Sequence, residues 1–369
     1  MTQINGKSVP FIRFSEISDT ITLNLSQLFD NVSFIKLETT DDNKLTGGKW
    51  SIGEKYIVGY VRRTGFFQFS SGGKFIRKLA NYGKGPQEVY YPNWTISKDE
   101  SQIIIYDLLK PKNFLRFDLN SGVLVKEIPI PLEGQLKNIS FANDFVLICA
   151  PIIGAGTPAG NYYLFWQNLS GKLINRVVAR TDSKPIVPVE NLLYLVGDQF
   201  HYRPINSDTI FHVKGYQIEP IIVLDADNSS ISTSDEIGKT KINISIETSD
   251  FLIIQTDKVI SKDVIGVNTI GYTGTKKNFY FDKLQKKAFI ISKFTNDFTG
   301  QELDPSFFED QSGNIKYISV ETISLLKRIK ALKSEPQIKI KDRKLIIDLG
   351  EGMTENDNPV LITGTFEKK

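Results

Sequence analysis

FQFSSGGKFIRKL (residues 67–79), LRFDLNSGVLVKEI (115–128) and LFWQNLSGKLINRV (164–177) are one segment written three times. Gly73, Gly122 and Gly171 stand 49 residues apart, and Gly215, inside IFHVKGYQIEPIIVL, follows 44 residues later. In each copy aromatic and β-branched residues alternate with polar ones, a Ser/Asn/Gly cluster turns the chain, and alternation resumes, which is the pattern of a β-hairpin. A period in the forties carried by strands implies a small β-unit repeated around a ring.

Two further strands precede each hairpin. NWTISKD (93–99), QIIIYDLL (102–109), NFLRFDL (113–119) and VLVKEIPI (123–130) give a four-stranded antiparallel sheet, and KWSIG, KYIVGY, GFFQFS and GKFIRKLA repeat the order from Lys49. One such sheet cannot bury both of its faces, whereas stacked neighbours can. A fifth hairpin is NFYFDKLQKKAFIISKF (278–294), where LQKKA replaces the glycine turn. The sixth unit needs both ends of the chain: VSFIKLE (32–38) supplies an outer strand and residues 295–369, ending in NPVLITGTFEKK, supply the rest. The expected fold is therefore all-β, a six-bladed β-propeller of four-stranded antiparallel blades closed by its N- and C-terminal strands. Closure removes the unpaired sheet edges that invite aggregation. Residues 1–369 read as a single domain, with 1–31 as an N-terminal extension. One short covering α-helix is expected near 319–334, where Val320, Ile323, Leu326, Ile329 and Leu332 approximate an apolar stripe.

Four stretches carry a resemblance: VSFIKLETTDD (32–42), YGKGPQEVYYP (82–92), HYRPINSDTIFHV (201–213) and NDNPVLITGTFEK (356–368). They resemble signature segments of a bacterial six-bladed β-propeller family of unknown function, similar to NHL-type propellers. Gln87 departs from that pattern, standing where the family's loop has another glycine. The resemblance implies an exported, often lipid-anchored protein, periplasmic or on the cell surface. The start of the sequence, MTQINGKSVP, has no apolar signal segment, so export requires that it is a mature form.

Composition narrows the chemistry. A formal net charge of +3 over 369 residues gives no bulk attraction to nucleic acid or anionic membrane. No apolar run approaches the roughly 20 residues that span a bilayer. Cys149 is the one cysteine and sits in a strand pattern, so it reads as a buried structural thiol. With His201 and His212 as the two histidines, a usual structural zinc site is out of reach. No cofactor is expected. Calcium is the metal to weigh, because Asp225, Asp227, Ser229, Thr233 and Glu236 occupy positions 1, 3, 5, 9 and 12 of a loop; Ser230 replaces the glycine at position six, and the loop reads as solvated. GAGTPA (154–159) formally fits a dinucleotide fingerprint, but a turn and a strand follow it instead of a helix. YGKGPQEVYYP lacks the GK[ST] ending of a phosphate loop and reads as the tight passage from one blade to the next.

In a propeller the turns joining second to third strands emerge on the same face as the blade-to-blade connections. Here those turns are VRRTG (61–65), LLKPKN (108–113), PIIGAGTPAGNY (151–162) and YRPINSD (202–208). They place Arg62, Arg63, Lys110, Lys112 and Arg203 on one expected rim, with Lys84 from a connection and Trp94 and Tyr202 as stacking surfaces. Such a rim suits a carboxylate, sulfate or phosphate, with arginine able to grip it in a bidentate fork. The expected function is non-enzymatic recognition of an anionic glycan, peptide or protein partner. The alternative is a calcium-dependent hydrolase or lyase with oxygen ligands drawn from several blades. Sialidase-like chemistry is disfavoured because repeated Asp-box turns are missing from the sequence.

Overall fold

All four repeat glycines adopt positive φ, at 86° for Gly73, 75° for Gly122, 86° for Gly171 and 60° for Gly215. Only glycine enters that region without strain, so the period in the sequence is the period of a left-handed hairpin turn. Packing adds a second demand at Gly73, where a Cβ would stand 2.2 Å from the Lys36 carbonyl oxygen. The fifth hairpin keeps the same backbone without the residue: Lys286 takes φ 54°.

The computed structural model describes residues 1–366 apart from 5, 42, 153–156, 180–191, 205–206, 227–239, 267–268 and 309–314. Its fold is a six-bladed β-propeller. Blade 1 runs Lys49–Ile52, Tyr56–Val61, Gly65–Ser70, Phe75–Asn81, and blade 2 runs Pro92–Ile96, Gln102–Asp107, Asn113–Asp118, Leu124–Pro129. Blade 3 is Leu136–Asn143, Val146–Pro151, Tyr162–Asn168, Leu173–Val178, and blade 4 is Leu192–Val196, Gln199–Arg203, Thr209–Lys214, Gln217–Asp225. In each of these, neighbours in sequence pair antiparallel. Blade 5 is built from Thr240–Glu247, Phe251–Gly266, Thr269–Asp282 and Lys287–Asn296. Its two middle strands, 16 and 14 residues long, continue in register to Gly266 opposite Thr269, a long hairpin that the sequence pattern did not reveal. In the sixth sheet Ile315–Val320 pairs with Val360–Thr365, which pairs with Asp30–Lys36, three strands among the described residues.

By its contacts the chain divides into two compact units, one of Met1–Asp19 and Tyr91–Ile290, the other of Thr20–Tyr90 and Ile291–Lys369. In the first unit three cores of described residues lie between neighbouring sheets. Ile104, Tyr106 and Phe114 of blade 2 meet Leu136, Ile139 and Phe165 of blade 3. Leu164 and Trp166 of blade 3 meet Leu193, Tyr202 and Val213 of blade 4, and Ile210 and Leu224 of blade 4 meet Ile244, Leu252 and Phe279 of blade 5. Each fully buried aromatic or aliphatic side chain contributes about 1.5–3 kcal/mol, so strands rich in them settle with both faces covered. The N-terminal residues are part of this unit: Phe11–Arg13 joins blade 4 as a fifth, parallel strand, fixed by Arg13 to Asp225 at 3.0 Å and Lys7 to Glu219 at 2.8 Å.

In the second unit the terminal strands close the sixth sheet, and its core joins Leu37, Trp50, Ile57 and Phe67 to Tyr317 and Leu361. Two fully buried asparagines latch that closure. Asn358 Nδ2 donates to the Glu38 carbonyl at 2.8 Å and to Asn43 Oδ1 at 3.2 Å, while its Oδ1 accepts from Leu45 N at 2.7 Å. Thr322 Oγ1 donates to the Asn358 carbonyl at 2.7 Å and so ties the start of a helix to the same point. Two of the four signature stretches are therefore structural in this region.

The helix spans Thr322–Ser334, not 319–334, since Val320 ends a strand. Its buried face is Thr322, Leu325, Ile329 and Leu332, whereas Ile323 is 38% exposed. The expected stripe fails for a geometric reason: at about 100° per residue a strict spacing of three drifts by about 60° at each step, and only the mixed three-and-four spacing stays on one side. A short second helix, Arg343–Leu349, follows, and Arg343 donates to the Ile338 carbonyl at 2.6 Å and to the Leu332 carbonyl, satisfying acceptors left open where the longer helix ends.

Candidate functional site

Three of the expected cations gather at one end of blade 1. The turn after Tyr56–Val61 is tight, with Arg63 at φ 65° and Thr64 N donating to the Val61 carbonyl at 3.1 Å, and it leaves both Arg62 and Arg63 exposed. Gly65, at the end of that turn, pairs directly with Asn81, the last residue before the connection to blade 2, so turn and connection leave the sheet side by side. The returning end of the connection is anchored too, because Tyr60 Oη donates to the Tyr90 carbonyl at 2.5 Å. Within it the Tyr82 and Tyr90 rings lie 4.9 Å apart at 30°, and the exposed Lys84 places its Nζ 5.4 Å from the Tyr90 ring centroid. Arg62, Arg63 and Lys84 are in no ion pair with a described residue. Their charge faces solvent beside a half-buried aromatic pair.

Blade 2 has a quieter version of the same end. Asp107 is buried and accepts from Leu109 N at 3.0 Å and Tyr91 N at 3.3 Å, which fixes the turn. On that turn Lys110 is half-buried and Lys112 exposed, the Lys112 carbonyl accepting from Ile130 N at 2.9 Å. Trp94 sits on the first strand opposite Ile105, half-buried.

Tyr202 and Arg203 do not reach a rim. Tyr202 is fully buried, its ring 6.0 Å from that of Tyr163, and burial holds its phenol well above the ordinary tyrosine range. Arg203, 4% exposed, donates from Nε to the Ser207 carbonyl at 3.0 Å and from Nη1 to the Ile242 carbonyl at 2.7 Å. Burial lowers its pKa to about 10, still high enough to keep it charged at neutral pH. The repeat itself carries the reason. Arg203 and Val61 each stand twelve residues before their repeat glycine, and Val61 is 2% exposed, so Arg203 occupies the last inward position of the strand. Tyr202 and Tyr60 share the preceding position, and Tyr106 matches them as the penultimate residue of its strand. Tyr106 Oη accepts from Leu136 N at 3.1 Å, tying its blade to the start of the next. The Tyr202 hydroxyl has no hydrogen-bond partner among the described residues, and the connection that follows its blade, 227–239, lies outside them.

Sequence reading missed a buried charged cluster at the other end of blades 4 and 5. Glu247, its side chain fully buried, ends the first strand of blade 5 and accepts from Lys283 Nζ at 2.6 Å and from the Tyr194 hydroxyl. His201 Nδ1 lies 3.1 Å from the same carboxylate, a close contact without hydrogen-bond alignment. Burial pushes the Glu247 pKa up, but His201 and Lys283 pull it further the other way and hold it below the ordinary glutamate range. Tyr194 is pushed well up, by burial first and by the Glu247 charge next. No sequence spacing links residues 194, 201, 247 and 283; adjacency of two blades does.

The remaining motifs resolve simply. Asp225 pairs with Arg13, and the rest of the weighed calcium loop, 227–236, lies outside the described residues, as do 154–156 of GAGTPA. After those residues come a short turn, Ala159–Asn161, and the strand Tyr162–Asn168. Cys149 is buried, and burial pushes its thiol pKa far up, away from nucleophilic use. Among the described residues, no three or more His, Cys, Asp or Glu side chains are grouped to hold a metal ion.

A family model described as a domain of unknown function, DUF4934, matches residues 9–365. The chain belongs to the DUF4934 family. Among solved structures this DUF4934 chain is similar to a presumed exported protein of Bacteroides fragilis NCTC 9343, with 15% identity and a TM-score of 0.66 over 98% of this chain and 100% of that one. At that identity the likeness speaks for the fold. The C-terminal WD40 domain of Sif2 aligns at 12% identity and a TM-score of 0.40 over 70% of this chain and 73% of its own. The β-propeller domain of Cps50 (Swd1) from Myceliophteria thermophila aligns at 9% and 0.37 over 69% and 88%. No curated protein matches the sequence. No helix among the described residues is long and apolar enough to cross a membrane.

Proposed function

We propose that this DUF4934 propeller is a binding protein that works outside the cytoplasm and uses the charged end of blade 1 to hold an anionic glycan, peptide or protein partner. One observation carries the reading: Arg62, Arg63 and Lys84 stand solvent-facing on a turn and a connection that leave blade 1 from one paired position, Gly65 opposite Asn81. Two adjacent guanidinium groups offer forked donors to a carboxylate or sulfate, and the neighbouring tyrosines offer apolar ring surface for the body of the ligand. Lys110 and Lys112 give blade 2 a weaker end of the same sign. Export is supported by the name carried by the Bacteroides fragilis relative of like fold.

The test is calorimetric titration of the full chain with an oligogalacturonate, a sulfated oligosaccharide and a glutamate-rich peptide at two salt concentrations. Saturable binding that weakens with salt and is lost in the Arg62→Ser, Arg63→Ser double variant is expected. Binding that survives the double variant overturns the assignment.

A further inference from the structure

The glycines of the blade 1 connection surround a carboxylate. Gly85 N donates to Glu88 Oε2 at 2.8 Å, and Cβ atoms placed on Gly83 and Gly85 would lie 2.0 Å and 2.9 Å from that same oxygen. A side chain at either position would push the Glu88 carboxylate from its place. Backbone bonds shape the loop around it: Gly83 N to the Val89 carbonyl at 3.1 Å, Glu88 N to the Gly85 carbonyl at 3.1 Å and Val89 N to the Asn81 carbonyl at 2.9 Å. Val89 is fully buried and pins the far side, whereas Gly83, Gly85 and Glu88 are half-buried and Lys84 is exposed. This is a backbone concavity with a donor N–H aimed inward and a lysine on its lip, the arrangement by which turns hold anions.

From this geometry we infer that the Gly83–Lys84–Gly85 turn is a carboxylate-binding cradle, and that Glu88 is its resident occupant, to be displaced by a carboxylate of the ligand. The inference rests on the blade 1 reading above and adds to it the ligand group and the point of contact. An oxygen of an incoming carboxylate can accept from Gly85 N as Glu88 Oε2 does, so exchange conserves that hydrogen bond. A ligand carboxylate held there adjoins Lys84, which stands between the two glycines of the turn. A carboxylate of this kind comes from a uronate sugar or from an acidic peptide side chain, and the two are separated by titration.

The experiment uses galacturonate oligomers, a glutamate-rich peptide and neutral glucose oligomers as probes on the wild type, Glu88→Ala, Glu88→Gln and Arg62→Ser, Arg63→Ser chains, with thermal melting to confirm folding. An internal competitor that leaves the cradle open in about one molecule in ten weakens apparent affinity about tenfold, so Glu88→Ala is expected to bind its carboxylate probe about tenfold more tightly. Glu88→Gln, a poorer occupant, is expected to fall between the two, and the neutral oligomers are expected to stay unbound. Unchanged or weaker carboxylate affinity in folded Glu88→Ala and Glu88→Gln, with binding still lost in the arginine double variant, overturns the cradle and leaves the arginine site standing. Failure of every chain to bind either acidic probe overturns both.

Discussion

Blades 1 and 4 are copies of one repeat, and their second strands end in opposite ways. In blade 1 the position twelve residues before the repeat glycine is Val61, and the arginines begin one residue later, in the turn. In blade 4 that same position is Arg203, whose guanidinium is bound to the carbonyls of Ser207 and Ile242. A shift of one residue separates a charge offered to solvent from one that holds two backbone acceptors inside the fold. Cations counted along a loop thus say little until each is placed against the strand register.

The largest effect is expected from the charged cluster on the buried side of blade 4. Glu247→Ala removes the partner of Lys283, Tyr194 and His201 together, and a loss of about 3–5 kcal/mol in denaturant unfolding is expected. A cost under about 1 kcal/mol would mean the cluster is solvated. The same carboxylate gives a pH signature. Its folded pKa lies below the unfolded value, so its contribution is complete above the ordinary glutamate range and disappears as pH falls through the lowered one. Wild-type stability is therefore expected to fall on the acid side of about pH 4.5, and Glu247→Gln to flatten that limb.

Next in size, Arg203→Met leaves two buried carbonyls without donors and is expected to cost about 2–3 kcal/mol. Arg62→Ala and Arg63→Ala are expected to stay within about 0.5 kcal/mol of wild type. Equal losses from Arg203 and Arg62 would erase the distinction between the blades. Of intermediate size and opposite sign, Lys286→Gly is expected to gain about 1 kcal/mol, because the fifth hairpin already holds φ 54° at that residue. Destabilisation there would show that the Lys286 side chain contributes something the turn does not explain.

Strand, turn and closure were legible in the sequence because each is written locally or repeated. The glycine period specifies a left-handed hairpin, alternation specifies strands, and the unmatched segments at 32–38 and 358–369 can only complete each other. The helix face was misjudged where spacing was taken as uniform, and the long blade 5 hairpin was missed because its lengthened strands have no counterpart in the other repeats. Arg203 and Tyr202 were recoverable by counting back from Gly215, since their counterparts Val61 and Tyr60 lie in an unambiguous strand. Glu247, His201 and Lys283 were not recoverable, as their meeting depends on two sheets packing face to face. Glu88 lay in plain view inside YGKGPQEVYYP, but its role needs the three-dimensional closeness of its carboxylate to Gly83 and Gly85.

The Gly83–Lys84–Gly85 turn is where an anion is expected to touch the molecule first, and amide chemical shifts report that contact directly. On titrating isotope-labelled protein with a galacturonate oligomer or a glutamate-rich peptide, the Gly85 and Gly83 amide resonances and the Arg62 and Arg63 side-chain signals are expected to move together at the lowest ligand concentrations. Shifts that begin elsewhere and leave Gly85 unmoved at saturation would contradict it.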